Sequence, residues 1–193
     1  MMRILPFFAA FALSSAMLAA RPNIVLVMAD DQGWGDMAYN GHPDLKTPHF
    51  DQFAREAIRF DHFYSAAPVC SPTRASVLTG RHPNRMGVFK WGYPIRPQED
   101  TLAEVLKGAG YITGHFGKWH LGSVQTASPV HPGACGFDEW LSAPNFFEND
   151  PILSRNGKAE QMTGESSDVT ATAALDFLQR NDAGKDSPLF AVV

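Results

Sequence analysis

The chain has 193 residues, of which 45% are hydrophobic and 19% are charged, and its formal net charge is −4. This composition excludes an intrinsically disordered protein, and no run of Lys or Arg suggests a nucleic-acid-binding surface. The length is sufficient for one buried core, so we expect about one domain.

The first twenty residues, MMRILPFFAAFALSSAMLAA, have the features of a secretory signal peptide. Arg3 supplies a positive start, residues 4–13 form an apolar run, and small residues follow. A membrane anchor is the alternative, but a proline and two serines interrupt the segment, which is short for a membrane span. We therefore predict an exported protein, periplasmic or extracellular, with no stable membrane insertion and with its domain over residues 21–193.

The first part of this domain is predicted to contain two strands and two helices. The apolar run NIVLVMA at 23–29 is typical of a buried strand. A helix is predicted over 47–58, where Thr-Pro opens the segment and apolar residues recur on one face. Residues 59–66 resemble a strand, and a helix over 71–80 is indicated by a Ser-Pro start and a closing glycine.

The second part of the domain continues the alternation of helices and strands. A Thr-x-x-Glu capping box opens a helix over 101–110, and a strand over 111–116 follows. Residues 123–166 are rich in Pro, Gly, Ser and Asn, which predicts long surface loops. A helix over 167–180 leads to a buried strand over 187–193. The pattern predicts an α/β fold with a mostly parallel or mixed central sheet flanked by helices, and a fold expected to continue past its last strand.

Two adjacent carboxylates, Asp30 and Asp31, follow the first predicted strand, and ligands bind at the carboxyl ends of strands in α/β sheets. A cation between the two would explain the pair, and oxygen ligands suit Ca²⁺ or Mg²⁺. In a regular strand they would point to opposite faces, so sharing one ion requires a turn, which Gly33 and Gly35 allow. The alternative is a solvated pair in a surface loop.

The segment GKWHLG (117–122) places Lys118 and His120 two residues apart. In an extended segment they would share one face, with Trp119 on the other. A cation beside an imidazole suits a bound oxyanion. The alternative is a surface lysine and a histidine with ordinary structural partners.

The chain has two cysteines, Cys70 and Cys135, and in an exported protein a disulfide between them is one interpretation. The context CSPTR favours another. Pro72 indicates a helix that begins just after Cys70, where an anion is favoured, and Arg74 lies within the first turn. Cys70 is therefore predicted to be a nucleophile beside a fixed positive charge.

The same five residues, CSPTR, match the C-x-P-x-R signature of sulfatases, and ASVLTGR after them matches its usual extension. NIVLVMADDQGWGD, TPHFDQFAREAIRF, GYITGHFGKWHLG and GFDEW also resemble sulfatase segments, in the family's order. Over residues 22–193 the chain resembles the N-terminal part of the catalytic domain of formylglycine-dependent sulfatases, in the alkaline-phosphatase superfamily.

The resemblance implies that Cys70 is oxidised to formylglycine by a formylglycine-generating or sulfatase-maturating enzyme. The hydrated aldehyde has two hydroxyls on one carbon: one attacks the sulfur of a sulfate ester, and the other lets sulfate leave afterwards. A disulfide to Cys135 would block this modification, so the resemblance favours an unpaired Cys70.

The resemblance also implies roles for the other candidate residues. Asp30 and Asp31, together with the modified residue, are expected to bind a divalent metal, Ca²⁺ rather than Mg²⁺. Arg74 would hold the charge of the modified residue. Lys118 would neutralise sulfate oxygens, and His120 would hydrogen-bond the formylglycine hydroxyl and assist proton removal. The implied substrate is a sulfated small molecule or glycan.

The chain departs from the family at its C-terminal end. Sulfatases are usually more than twice this long, and a second metal-binding Asp-Asn pair and further sulfate-binding His and Lys residues come later. We therefore expect about half a site, with no activity and poor stability for the 193 residues alone. His115 matches no residue of the family's site, and a structural role is expected. The alternatives are a phosphonate or phosphodiester hydrolase of the same superfamily, or a non-catalytic exported anion-binding protein.

Overall fold

The computed structural model describes residues 21–145, 148–182 and 187–193, so the predicted signal peptide lies outside the described residues. Six strands form one sheet in the order β1-β6-β2-β3-β4-β5. Their bounds are β1 Ile24–Leu26, β2 Ile112–Lys118, β3 Glu139–Ala143, β4 Ile152–Arg155, β5 Lys158–Gln161 and β6 Leu189–Val192. The helices are α1 Pro48–Glu56, α2 Cys70–Thr79, α3 Pro83–Met86, α4 Leu102–Gly108 and α5 Ser166–Asp182, with short 3-10 helices at Ala38–Asn40 and Pro132–Cys135.

The sheet is mixed, as predicted. Strands β1, β6, β2 and β3 run parallel, and β4 and β5 extend the β3 edge in antiparallel pairs. Every residue of β6 is buried, because this strand lies between β1 and β2 and is covered on both faces, as its continuous apolar run predicted. No helix in the described ranges is long and apolar enough to cross a membrane.

Two apolar cores lie on opposite faces of the sheet. Neighbouring residues of a strand point to opposite faces, and Phe190 and Ala191 accordingly belong to different cores. On one face, Phe190 packs with Trp119, Phe137 and residues of α2, α3 and α4. On the other, Ala191 packs with residues of β2, β3, β4 and α5, which include Phe116, Leu141, Leu153 and Phe177.

Three predictions of secondary structure were wrong in whole or in part. Residues 59–66 form no strand and are irregular apart from a turn at 61–62, and their aromatic side chains are exposed because no strand pairs with the segment. The predicted loop region 123–166 contains β3, β4 and β5; β3 was missed because turn-forming residues surround this short strand. The first strand was predicted to be buried, but β1 is a short edge strand with Val25 exposed.

The helices agree more closely with the sequence. The capping box of α4 is complete, since Thr101 accepts a hydrogen bond from the backbone N–H of Glu104 and the Glu104 side chain accepts one from the N–H of Thr101. Helices α1 and α5 lie where the apolar spacing predicted them. Helix α2 differs at its start, and that difference concerns the candidate site.

Candidate active site

Helix α2 carries Cys70 as its first residue, and its N-cap is Val69, two residues before the cap at Ser71 that the Ser-Pro start predicted. Ser71, the predicted cap, is buried, and its Oγ accepts a hydrogen bond from the N–H of Gly92 at 2.9 Å. Cys70 is half-buried, forms no disulfide and lines an open cleft of about 340 Å³. A helix N-terminus that faces a cleft offers partial positive charge to an anion.

Asp30 lies between two buried cations. Nη2 of Arg74 donates to Oδ1 of Asp30 at 2.9 Å, and Nζ of Lys118 donates to Oδ2 at 2.8 Å. Nη1 of Arg74 also donates to the backbone carbonyl of Lys118 at 2.9 Å, which joins α2 to the end of β2. Burial acts to raise the pKa of Asp30, but the hydrogen bonds and charges of Lys118 and Arg74 outweigh it and lower that pKa. The carboxylate is therefore ionised at neutral pH.

Asp31 is exposed and adopts a left-handed backbone conformation with φ of +53°. The chain thus turns at Asp31 itself, before the glycines that were predicted to allow the turn. Asp30, Asp31 and Cys70 all line the same cleft. Within the described ranges, however, no three Asp, Glu, His or Cys side chains form a group that could hold a metal ion. The cleft therefore collects the predicted ligands without forming a complete metal site.

His120 follows the end of β2, and its φ of +52° shows that the segment is not extended there. The Trp119 side chain enters the core, and its indole N–H donates to the carbonyl of Val130 at 3.0 Å. His120 is only 4% exposed, and neither ring nitrogen has a hydrogen-bond partner among the described residues. Burial, followed by the charges of Lys118 and Arg74, lowers the pKa of His120. A neutral imidazole that can accept a proton results.

Trp91 is a site neighbour that the sequence did not reveal. Its ring packs edge-on against His120, with ring centroids 4.9 Å apart and an angle of 79° between the planes. Trp91 lies in the loop between α3 and α4, outside every motif used above, and its role depends on contacts between residues distant in sequence.

His115 lies in the core, away from the cleft. Its Nδ1 is 2.7 Å from Oγ of Ser142, and its ring packs edge-on against Trp119 and Phe137. Burial and then the charge of Arg74 lower the pKa of His115 to about 3. This position agrees with the structural role expected from the sequence.

Cys135 is also buried and unpaired. Burial, and to a lesser extent the charge of Glu104, raises the pKa of its thiol to about 12. The thiol is therefore protonated at neutral pH. The structure contains no disulfide between Cys70 and Cys135.

The family model and the curated relatives agree on one family. The family model described as Sulfatase matches residues 22–193. N-acetylgalactosamine-6-sulfatase of Mus musculus is 38% identical over 207 residues, which cover 88% of this chain and 38% of that protein. Steryl-sulfatase of Rattus norvegicus is 46% identical over 137 residues, which cover 64% of this chain and 24% of that protein. The chain thus spans less than half the length of these curated relatives.

Solved structures share the fold. The structure of Ps i-CgsB in complex with k-i-k-neocarrahexaose has a TM-score of 0.81 and 28% identity, covering 89% of this chain and 44% of that one. A protein solved in complex with its substrate D-glucosamine-2-N,6-O-disulfate has a TM-score of 0.77 and 32% identity, covering 89% of this chain and 33% of that one. Both likenesses extend over most of this chain.

Proposed function

This chain belongs to the sulfatase family, and we propose that it provides the nucleophile and anion-binding part of a site that hydrolyses sulfate esters. The observation that carries the proposal is the cluster of Arg74, Asp30 and Lys118 beside the cleft at Cys70. Within this cluster two buried cations face one carboxylate, and Asp31, the other carboxylate of the cleft, is exposed to solvent. The buried charge is therefore positive, which suits a sulfate group. The relatives' names favour a sulfate ester of a sugar or another ring alcohol as the substrate.

Each residue of the candidate site would have a distinct role in the reaction. Lys118 would neutralise the charge that develops on the sulfate oxygens, because a buried cation stabilises such charge strongly. Arg74 would hold the charge of the residue at position 70. The neutral imidazole of His120 would accept a proton from the nucleophile. When Cys70 is converted to formylglycine, one hydroxyl of its hydrated aldehyde would attack sulfur and displace the alcohol of the ester. The second hydroxyl would then lose its proton, and the aldehyde would re-form as the C–O bond to sulfate breaks and sulfate leaves.

The proposal also includes a divalent metal, for which the described residues supply only some of the ligands. Asp30 and Asp31 would be ligands together with the modified residue 70, and their carboxylate oxygens suit Ca²⁺. Both oxygens of Asp30 are engaged by cations, and Ca²⁺ takes about six to eight oxygen ligands. The residues described here do not satisfy that requirement, so we assign the metal no step in the reaction.

We also propose that the protein is exported and modified by a formylglycine-generating enzyme before it acts. A direct test of the modification is to co-express the protein with such an enzyme and analyse the peptide that contains Cys70 by mass spectrometry. Replacement of CH₂SH by CHO lowers the peptide mass by a fixed amount. An unmodified or disulfide-linked Cys70 would contradict the proposal.

The activity test uses the full-length protein that contains this chain, with an aryl sulfate and an aryl phosphodiester as parallel substrates. We expect sulfate hydrolysis to dominate, Cys70→Ala to abolish it, and Lys118→Met to lower kcat by about 10²–10³-fold, the usual cost of losing one stabilising group. Preferred turnover of the phosphodiester would assign the protein to the other hydrolase class. We expect residues 21–193 alone to show no turnover, because the described residues form no group that could hold a metal ion.

A further inference from the structure

The loop at residues 87–95 is attached to both halves of the candidate site. The N–H of Gly92 donates to Oγ of Ser71, which follows Cys70 directly. The N–H of Ile95 donates to the carbonyl of Leu121, which follows His120 directly, at 3.0 Å. The loop therefore has a fixed position relative to the nucleophile helix and to the segment that carries the histidine.

Trp91, in the middle of this loop, exposes a large apolar surface. Its side chain is 53% exposed, whereas Trp119 and Trp140 are 1% and 6% exposed. The same ring contacts His120 edge-on. A half-exposed indole held against a buried site residue by a fixed loop presents an apolar face to whatever enters from solvent.

The direction of a bound ester follows from the charges. The sulfate group belongs beside the buried cations Arg74 and Lys118, so the organic part of the ester must extend from there towards solvent. None of the residues that line the cleft at Cys70 is aromatic. The ring of Trp91 contacts His120, and its loop is hydrogen-bonded to Ser71 next to Cys70, so the exposed indole lies near the path that the organic part would take. Pockets for organic ligands commonly combine a few polar groups with aromatic walls.

We propose, on the premise of the sulfatase function above, that Trp91 is a substrate-binding residue that selects sulfate esters of ring alcohols. The sugar or aryl ring packs against the indole while the sulfate group lies at Lys118 and Arg74. The contact contributes through burial of two apolar faces and through the geometry of the aromatic ring. It contributes to binding of the organic part and not of the sulfate.

The experiment measures binding without turnover. The full-length protein with Cys70→Ala is titrated calorimetrically with three probes: 4-nitrophenyl sulfate, N-acetylglucosamine 6-sulfate and inorganic sulfate. Trp91→Ala and Trp91→Phe are introduced into this protein, and Phe89→Ala is the matched control, because Phe89 is an equally exposed aromatic residue of the same loop. Trp91→Phe keeps a ring and provides the answer if Trp91→Ala does not fold.

We expect Trp91→Ala to weaken binding of the ring-bearing probes about tenfold, with a smaller loss for Trp91→Phe. The Kd of inorganic sulfate and all values for Phe89→Ala should stay unchanged. A loss for only one ring-bearing probe would identify the aryl or the sugar ring as the partner. An equal loss for sulfate, no loss for either ring-bearing probe, or no binding by the parent protein would overturn the proposal. Absence of turnover by the enzyme with Cys70 intact would contradict the sulfatase function alone.

Discussion

Two regions of this molecule have similarly apolar sequences but bury them very differently. In residues 102–193, which we call the packed region, the large side chains Phe116, Phe177 and Phe190 are at most 1% exposed. In residues 24–66, which we call the open region, the side chains of Phe53, Phe60 and Phe63 are 68%, 73% and 83% exposed. Apolar content alone therefore does not determine burial; a strand or helix must also have a neighbour to cover it.

This difference divides the candidate site. Lys118 and His120 extend from β2 of the packed region, so their positions follow from the core beneath them. Asp30 and Asp31 extend from β1, an edge strand of the open region. Asp30 is held in place by its ion pairs with Arg74 and Lys118. Lys118 and His120 are thus positioned by packing, and Asp30 by electrostatic contacts.

The largest loss of stability is expected when a buried side chain of the packed region is truncated. Phe177 of α5 is 1% exposed and packs against Phe116 with ring centroids 5.4 Å apart. Phe177→Ala should destabilise the fold by about 3–5 kcal/mol, because it removes buried surface and leaves a cavity. The measurement is the resistance of the full-length protein to limited digestion by trypsin.

The matched control is Phe53→Ala on α1, which removes the same atoms from an exposed position. We expect Phe177→Ala to be digested rapidly across β2 to β6 and the control to be digested as slowly as the parent. Equal sensitivity of the two variants would show that the two regions are not packed differently.

The next largest loss of stability is expected at acidic pH. The buried His115 has a pKa of about 3 in the fold against an ordinary value of 6.5, so the unfolded chain binds the additional proton between these values. Stability is therefore fully present above pH 6.5 and falls as the pH is lowered, by about 3 kcal/mol at about pH 4. Near-ultraviolet circular dichroism as a function of pH should show this loss of packing.

His115→Phe tests the assignment, since a phenyl ring fills a similar space and takes no proton. Ser142 keeps a second partner, the backbone carbonyl of residue 115. We expect the variant to lose its packing at a lower pH than the parent. An unchanged acid midpoint would mean that another group, such as the Asp138 carboxylate paired with Lys107, controls acid unfolding.

The sequence correctly predicted the elements whose apolar pattern or capping residues match the way they pack in the structure. Strand β6 has a continuous apolar run and is buried, and α4 has a capping box that forms as expected. The failures have a common physical cause. Residues 59–66 have strand-forming residues without a strand to pair with, while β3 was missed because its position depends on parallel pairing with β2, a contact distant in sequence.

The same limit applies to the site. The motifs indicated Cys70, Arg74, Lys118 and the aspartates as candidates, and the structure brings Asp30, Arg74 and Lys118 into contact. No motif could show that both cations would share Asp30. The contact of Trp91 with His120 was equally invisible, because it depends on how a loop is attached to two different elements.

The smallest effect on stability, and the closest test of the open region, is expected for Phe53→Ser. Phe53 lines an apolar groove together with Trp34, Phe50, Ile58 and Phe60, and its own side chain is mostly exposed. The free energy of unfolding should change by less than about 0.5 kcal/mol. A contiguous exposed apolar patch favours association of chains, so the variant should show less aggregation by light scattering at equal concentration.

Val105→Ser is the control, because Val105 is 61% exposed on α4 of the packed region and a scattered apolar residue promotes little association. Equal improvement by both variants would indicate that exposed apolar residues act singly, and that the open region has no special part in aggregation.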